Sequence, residues 1–148
     1  MNKTQWDAMQ NFITENYRMH VQFAKQKFLN YIQNNTQYGQ NFQEYNYDIQ
    51  KNIIMILNDI RIYDQMFIEL LNILYDDFIP EDILQLLFQK KKNHILMKTF
   101  LITSNQSLSF NMYQWLIYLN PKYYKYIIIK EDHPHKKELK ELYEFLTV

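Results

Sequence analysis

Cysteine is missing from the 148 residues, which excludes disulfides, thiolate-held zinc, iron–sulfur clusters and thiol nucleophiles. Glycine occurs once, at Gly39, so no Gly-rich phosphate loop or dinucleotide fingerprint can be built. Proline occurs three times, alanine only at Ala8 and Ala24, valine only at Val21 and Val148, and arginine only at Arg18 and Arg61. No apolar run approaches the roughly 18 residues of a membrane span. Met1–Asp7 has no apolar h-region, so it does not read as a signal peptide, and a cytoplasmic location is expected.

What is present is 47% hydrophobic, with 13 tyrosines and 10 phenylalanines, enough for a folded core in one domain of this length. The abundance of Ile, Asn, Gln, Lys and Tyr follows A/T-rich codons, so the amide content is not by itself a prion-like signal.

Periodicity predicts a mostly α fold, a compact bundle of four to six helices in a single domain spanning residues 1–148. Trp6, Met9, Ile13, Tyr17, Val21, Ala24, Phe28 and Tyr31 recur at helical spacing, which predicts one helix from Thr4 to Tyr31, with Thr4 and Asp7 as a capping pair. Residues 33–46 hold the sole glycine and no clean period. They read as a flexible loop, long enough to do something or to hide a short turn. Ile49, Ile53, Ile56, Ile60, Tyr63, Phe67, Leu70 and Leu74 alternate at four and three, which predicts a single spine helix from Asp48 to Tyr75. A seam of that length also suits a homodimer.

Pro80 opens a third helix with Glu81 and Asp82 in its first turn. It either stops at Lys90–Asn93 or continues through His94–Ile102. A fourth helix is expected from Phe110 to Leu119 after a Ser-rich turn. Tyr123–Ile129 has high β propensity, so a short strand or wing is expected near 122–130. Residues 131–135 read as a linker, and Leu139, Leu142, Tyr143 and Leu146 mark a last amphipathic helix.

Net charge is zero in sum but not in place. From Glu44 to Asp82 there are nine acids and two bases; from Ile83 to Lys130 there are seven lysines and no acid. Either the blocks pair internally or they face charged partners. The candidate contacts for a basic partner are Asp59, Asp64, Glu69, Asp76 and Asp77. Those for phosphate or an acidic partner are Lys90, Lys91, Lys92, Lys98, Lys122 and Lys125. Tyr113, Tyr123, Tyr124 and Tyr126 are candidate stacking or hot-spot residues.

No catalytic constellation emerges. The acids of the spine do not pair, the Ser-rich turn has no nucleophile elbow, and His133-Pro134-His135 lacks the further ligands of a metal centre. No cofactor or metal is expected. The preferred expectation is a non-enzymatic interaction protein, an adaptor, inhibitor or small assembly subunit with a protein partner or itself. The alternative is nucleic-acid binding through a helix-turn-helix-like block at 83–130, against which stands the lack of any arginine after Arg61. A small enzyme with an unrecognised site is a second alternative. Membrane association is not expected.

Overall fold

The computed structural model describes residues 1–15, 21–60, 63–89, 94–130 and 133–148, with the side chains of 21 and 128–130 left aside. Among the described residues it is helical, with nine α-helices: α1 Lys3–Glu15, α2 Val21–Asn35, α3 Tyr47–Asp59, α4 Asp64–Leu74, α5 Glu81–Phe88, α6 His94–Thr103, α7 Phe110–Leu119, α8 Tyr124–Lys130 and α9 Lys136–Thr147. Short 3-10 turns lie at Phe42–Glu44 and Pro121–Tyr123. None of the described helices is long and apolar enough to cross a membrane. The expectation of four to six helices is thus overturned. The chain groups into two compact units, Met1–Asn93 and His94–Val148.

The count rises because long periodic stretches are broken. On one helix the rings of Trp6 and Phe28 would stand about 33 Å apart; their centroids are 6.3 Å apart, so α1 and α2 fold back on each other. Residues 16–20, which include the Tyr17 position of the expected stripe, lie outside the described residues. The spine is also two helices. Ile60 closes α3 at φ −82, ψ 6, and Tyr63 is extended at φ −61, ψ 135 before α4 begins. The heptad spacing runs across this break because Ile60–Tyr63 keeps the apolar register. Its β-branched and aromatic residues are nonetheless poor helix formers.

Within the first unit, α1 packs on α2 and α4, α2 on α3, and α3 on α5. The core is made of Met9, Phe12, Ile13, Phe28, Ile53, Leu57, Leu71, Leu74 and Ile83. α1 is capped by Asn2, whose Oδ1 accepts the Gln5 N–H at 2.9 Å, two residues before the expected Thr4. α3 is capped by Asn46, which accepts the Asp48 N–H at 2.8 Å. With glycine scarce, Asp76 and Asp77 take the left-handed turn after α4 (φ 50 and 66). The Asp77 N–H returns to the Asn72 carbonyl at 2.8 Å, as in a Schellman closure.

The connection 36–46 hides the short turn at Phe42–Glu44 and is tied to the unit's interior. Phe42 is fully buried and sets its ring edge-on against Tyr45 and Tyr75. The Phe42 N–H donates to Gln5 Oε1 at 3.0 Å. Gln50 Nε2 donates to the carbonyls of Gln43 and Tyr45, while its Oε1 accepts the Tyr75 hydroxyl at 2.9 Å. These side chains are neutral; the connection also takes the charged Met1 ammonium, which donates to the Gln37 carbonyl and shares a hydrogen bond with the Tyr45 hydroxyl.

In the second unit, α7 packs on α9, α6 on α8, and α8 on α9. α7 has the expected bounds, and Ser109 caps it by accepting the Met112 N–H at 3.2 Å. The expected strand or wing at 122–130 is not formed: the segment is a 3-10 turn followed by α8. Asn120 starts that turn by accepting the Lys122 N–H, and Tyr123, Tyr124 and Ile127 then occupy one helical face against the core. Burial on a helix face uses the same aromatic and β-branched residues that propensity assigns to a strand. The final amphipathic helix forms as expected, with Leu139 buried and Tyr143 stacked on Tyr124 at 4.5 Å.

Candidate functional site

The first unit carries a groove between α1 and α4. Gln5 Nε2 donates to the Leu74 carbonyl at 3.5 Å, so the start of α1 meets the end of α4 and the two helices run antiparallel. Each contributes residues at i, i+3, i+4 and i+7: Ala8, Asn11, Phe12 and Glu15 from α1, and Met66, Glu69, Leu70 and Ile73 from α4. Phe12 and Leu70 form the buried floor, while Met66 and Ile73 are 37% and 39% exposed. Glu15 and Glu69 give the groove two carboxylates. Together α1 and α4 hold four acids, Asp7, Glu15, Asp64 and Glu69, and one base, Lys3. The cavity is about 210 Å³, below the roughly 300–1,000 Å³ of small-molecule sites. It has the size for inserted side chains.

Sequence reading placed Glu69 among the partner contacts but missed Glu15, Met66 and Ile73. The signal was in α4 itself: Met66, Phe67, Ile68, Leu70, Leu71, Ile73 and Leu74 spread over about 220° of its circumference, with Gln65, Glu69 and Asn72 on the rest. That arc is about twice the width of an ordinary core-facing stripe.

The other acidic candidates lie elsewhere. Asp59 ends α3 and Asp64 begins α4. Asp76 accepts from Gln43 Nε2 at 3.3 Å within the turn after α4, which it shares with Asp77.

In the second unit, Lys98 and Lys125 meet at the ring of Tyr126, with Nζ 5.7 and 5.1 Å from its centroid. Lys122 is exposed one turn before Tyr126. Lys90, Lys91 and Lys92 lie outside the described residues. Tyr113 is 1% exposed; Tyr123 and Tyr124 are also buried, so their rings do not lie open for stacking. The Tyr123 hydroxyl shares a hydrogen bond with His94 Nδ1. Burial raises the ionisation of both the Tyr123 and the Tyr124 hydroxyls above the ordinary phenol value.

His133 has both ring nitrogens engaged. Its Nδ1 accepts the His135 N–H at 3.1 Å, and its Nε2 faces the Leu108 carbonyl at 3.2 Å. A backbone N–H can only donate and a carbonyl can only accept, so this arrangement fits the Nε2–H tautomer and leaves no lone pair for a metal. The ring also stands edge-on to Tyr113 at 5.2 Å. Among the described residues no group of three or more His, Asp or Glu side chains could hold a metal ion. Of the expected linker at 131–135, residues 131–132 lie outside the described residues and His133–His135 form the turn into α9.

Compared with known proteins, the chain matches no family model, no curated protein and no solved structure.

Proposed function

We propose that the protein is a non-enzymatic interaction protein that receives a partner's helix in the groove between α1 and α4. The observation that carries this reading is the pair of facing i, i+3, i+4, i+7 rows, partly open and bordered by Glu15 and Glu69. An amphipathic helix laid along such a groove inserts apolar anchors at the same spacing. The carboxylates favour a partner with lysine or arginine beside its anchors, and they steer association and select against acidic partners.

The test is a pair of labelled helical peptides with identical Leu anchors at i, i+4 and i+7, one flanked by lysines and the other by glutamates. Fluorescence anisotropy is expected to show saturable binding of the basic peptide, weakening as salt rises. Binding is expected to drop by about tenfold in the double variant Glu15→Lys, Glu69→Lys. Equal binding of both peptides, or of neither, would sink the reading.

A second reading is favoured by one observation, the convergence of Lys98 and Lys125 on Tyr126. It makes the second unit a weak, non-specific nucleic-acid contact. α7 carries no charged side chain, so it offers no cation to a phosphate or a base edge. Anisotropy of labelled duplex and single-stranded DNA between about 50 and about 200 mM salt decides it. Steeply salt-dependent binding reduced by Lys98→Glu supports this reading; no binding at the lower salt ends it.

A further inference from the structure

The first unit has a second concavity, which the helix-binding reading does not use. It measures about 480 Å³ and lies between the start of α1, the part of α2 from Gln26 onward and the connection that follows. Trp6 lies on the side of α1 opposite the α4 groove, since at about 100° per residue it falls about 170° from the centre of the row Ala8–Glu15. The two concavities are therefore separate features of one helix.

The apolar lining is Met1, Trp6, Leu29 and Ile32, with Tyr38 beside it. The Trp6 indole is held by its packing on Phe28. Tyr38 also lines the space yet is 77% exposed, so its ring has much surface for an occupant to cover. It precedes Gly39, which takes φ +93 and donates its N–H to the Met1 carbonyl at 3.0 Å. That bond pins the turn from which Tyr38 projects.

The polar members are Gln26, Gln33 and Thr36, and no lining side chain is ionisable apart from the phenol of Tyr38. Thr36 directs its hydroxyl proton to the Ile32 carbonyl at 2.7 Å, and Gln26 directs an N–H to Asn30 at 2.7 Å. Thr36 keeps acceptor lone pairs, while Gln26 and Gln33 keep their side-chain carbonyls together with N–H donors. A volume within the small-molecule range, an aromatic and aliphatic lining and a few uncharged acceptors are the makings of a ligand site. The one charge carried by a lining residue is the Met1 ammonium, which is held below its ordinary pKa by burial and bonds to the Gln37 carbonyl and the Tyr45 hydroxyl, neither of which lines the cavity, so a buried ion would meet no free counter-charge there.

We propose that this cavity binds a small, neutral aromatic molecule carrying an N–H or O–H donor. The rings of Trp6 and Tyr38 contact its aromatic body, and Gln26, Gln33 and Thr36 receive its donor.

The experiment uses the full chain and two probes of nearly the same shape, neutral N-phenyl-1-naphthylamine and its sulfonated analogue 1-anilinonaphthalene-8-sulfonate. In the variant Trp115→Phe, Trp6 is the sole tryptophan, and the neutral probe is expected to quench its emission saturably. The emission of the probe in the unaltered chain gives the same affinity independently of that variant. The sulfonate is expected to bind about tenfold more weakly or worse. Gln33→Trp, at an exposed helical position, fills the cavity and is expected to abolish binding while circular dichroism is unchanged. Tyr38→Ala is expected to weaken it severalfold. No saturable quenching of Trp6, equal affinity for the two probes, or unaltered binding in Gln33→Trp would each overturn the proposal. The neutral probe is expected not to compete with the basic helical peptide, so a failure here and a failure of the α1–α4 groove are read separately.

Discussion

The two units secure their loops by different means. In the first, the connection 36–46 is held by its neighbour Gln50 and by three distant parts of the chain: Met1, Gln5 from α1 and the Tyr75 ring after α4. In the second, the turn between α6 and α7 is held by neighbours and by one distant partner, His133. Ser104 Oγ accepts the Gln106 N–H at 3.0 Å, the Tyr113 hydroxyl accepts the Leu108 N–H at 3.3 Å, and His133 reaches the Leu108 carbonyl. The side chains that hold both are neutral, and the first connection also takes the Met1 ammonium at the Gln37 carbonyl. The two loops differ in how much structure depends on each bond. A loop held by three distant parts of the chain forms only with the whole unit, whereas a loop held by its neighbours and one distant side chain depends on fewer elements.

The largest effect expected from breaking this contrast is at Phe42. Phe42→Ala removes the buried ring between Tyr45 and Tyr75 and is expected to cost about 3–5 kcal/mol in urea unfolding. A loss below about 1 kcal/mol would mean the connection is not part of the core. Next is Gln50→Leu, which leaves the carbonyls of Gln43 and Tyr45 and the Tyr75 hydroxyl without their partner. It is expected to cost about 1–3 kcal/mol, against about 1 kcal/mol for Tyr113→Phe in the second unit. Hydrogen exchange sharpens the difference: Gln50→Leu is expected to lower protection across the first unit, and Tyr113→Phe only around the α6–α7 turn. The helix caps come third, with Asn46→Ala and Ser109→Ala each expected to cost about 1 kcal/mol.

The smallest effect is absent at neutral pH. Burial, the dominant cause, raises the ionisation of Tyr75 well above the ordinary phenol value, with Tyr47 and Asp82 adding to it; Tyr45 and Tyr47 are raised as well, chiefly by burial. Tyr47 also donates to Asp82 at 3.1 Å, a bond its phenolate would lose. Above about pH 10 the unfolded chain releases these protons while the folded chain retains them, so stability falls as pH rises. Alkaline urea titrations are expected to show that decline, less steep in Tyr75→Phe. An unchanged slope would remove Tyr75 from the explanation.

Helix content was legible from spacing, down to the bounds of α7 and the amphipathic face of α9. The breaks were not. Tyr63 fits an unbroken heptad, and nothing in a 3–4 repeat distinguishes one long helix from two that share a register. The strand expected at Tyr123–Ile129 failed for a related reason, since propensity describes a half-buried surface and not which element supplies it. Of the site, the acidic bias and Glu69 were visible. Glu15 was not, because the groove needs α1 and α4 side by side, and that pairing is carried by contacts such as Gln5 to Leu74 that no local pattern announces. The tyrosine surplus misled: Tyr45, Tyr75, Tyr113, Tyr123 and Tyr124 are buried, and several of their hydroxyls tie loops instead of presenting a surface.

The most direct measurement is methyl-resolved NMR of the full chain labelled at Met, Leu and Ile, titrated with the lysine-flanked peptide. The methyl signals of Met66, Leu70 and Ile73 are expected to move together and saturably, those of Leu29 and Ile32 to stay in place, and added salt to reverse the shifts. Shifts confined to other residues, or the same shifts with the glutamate-flanked peptide, would contradict the assignment of the α1–α4 groove as the recognition surface.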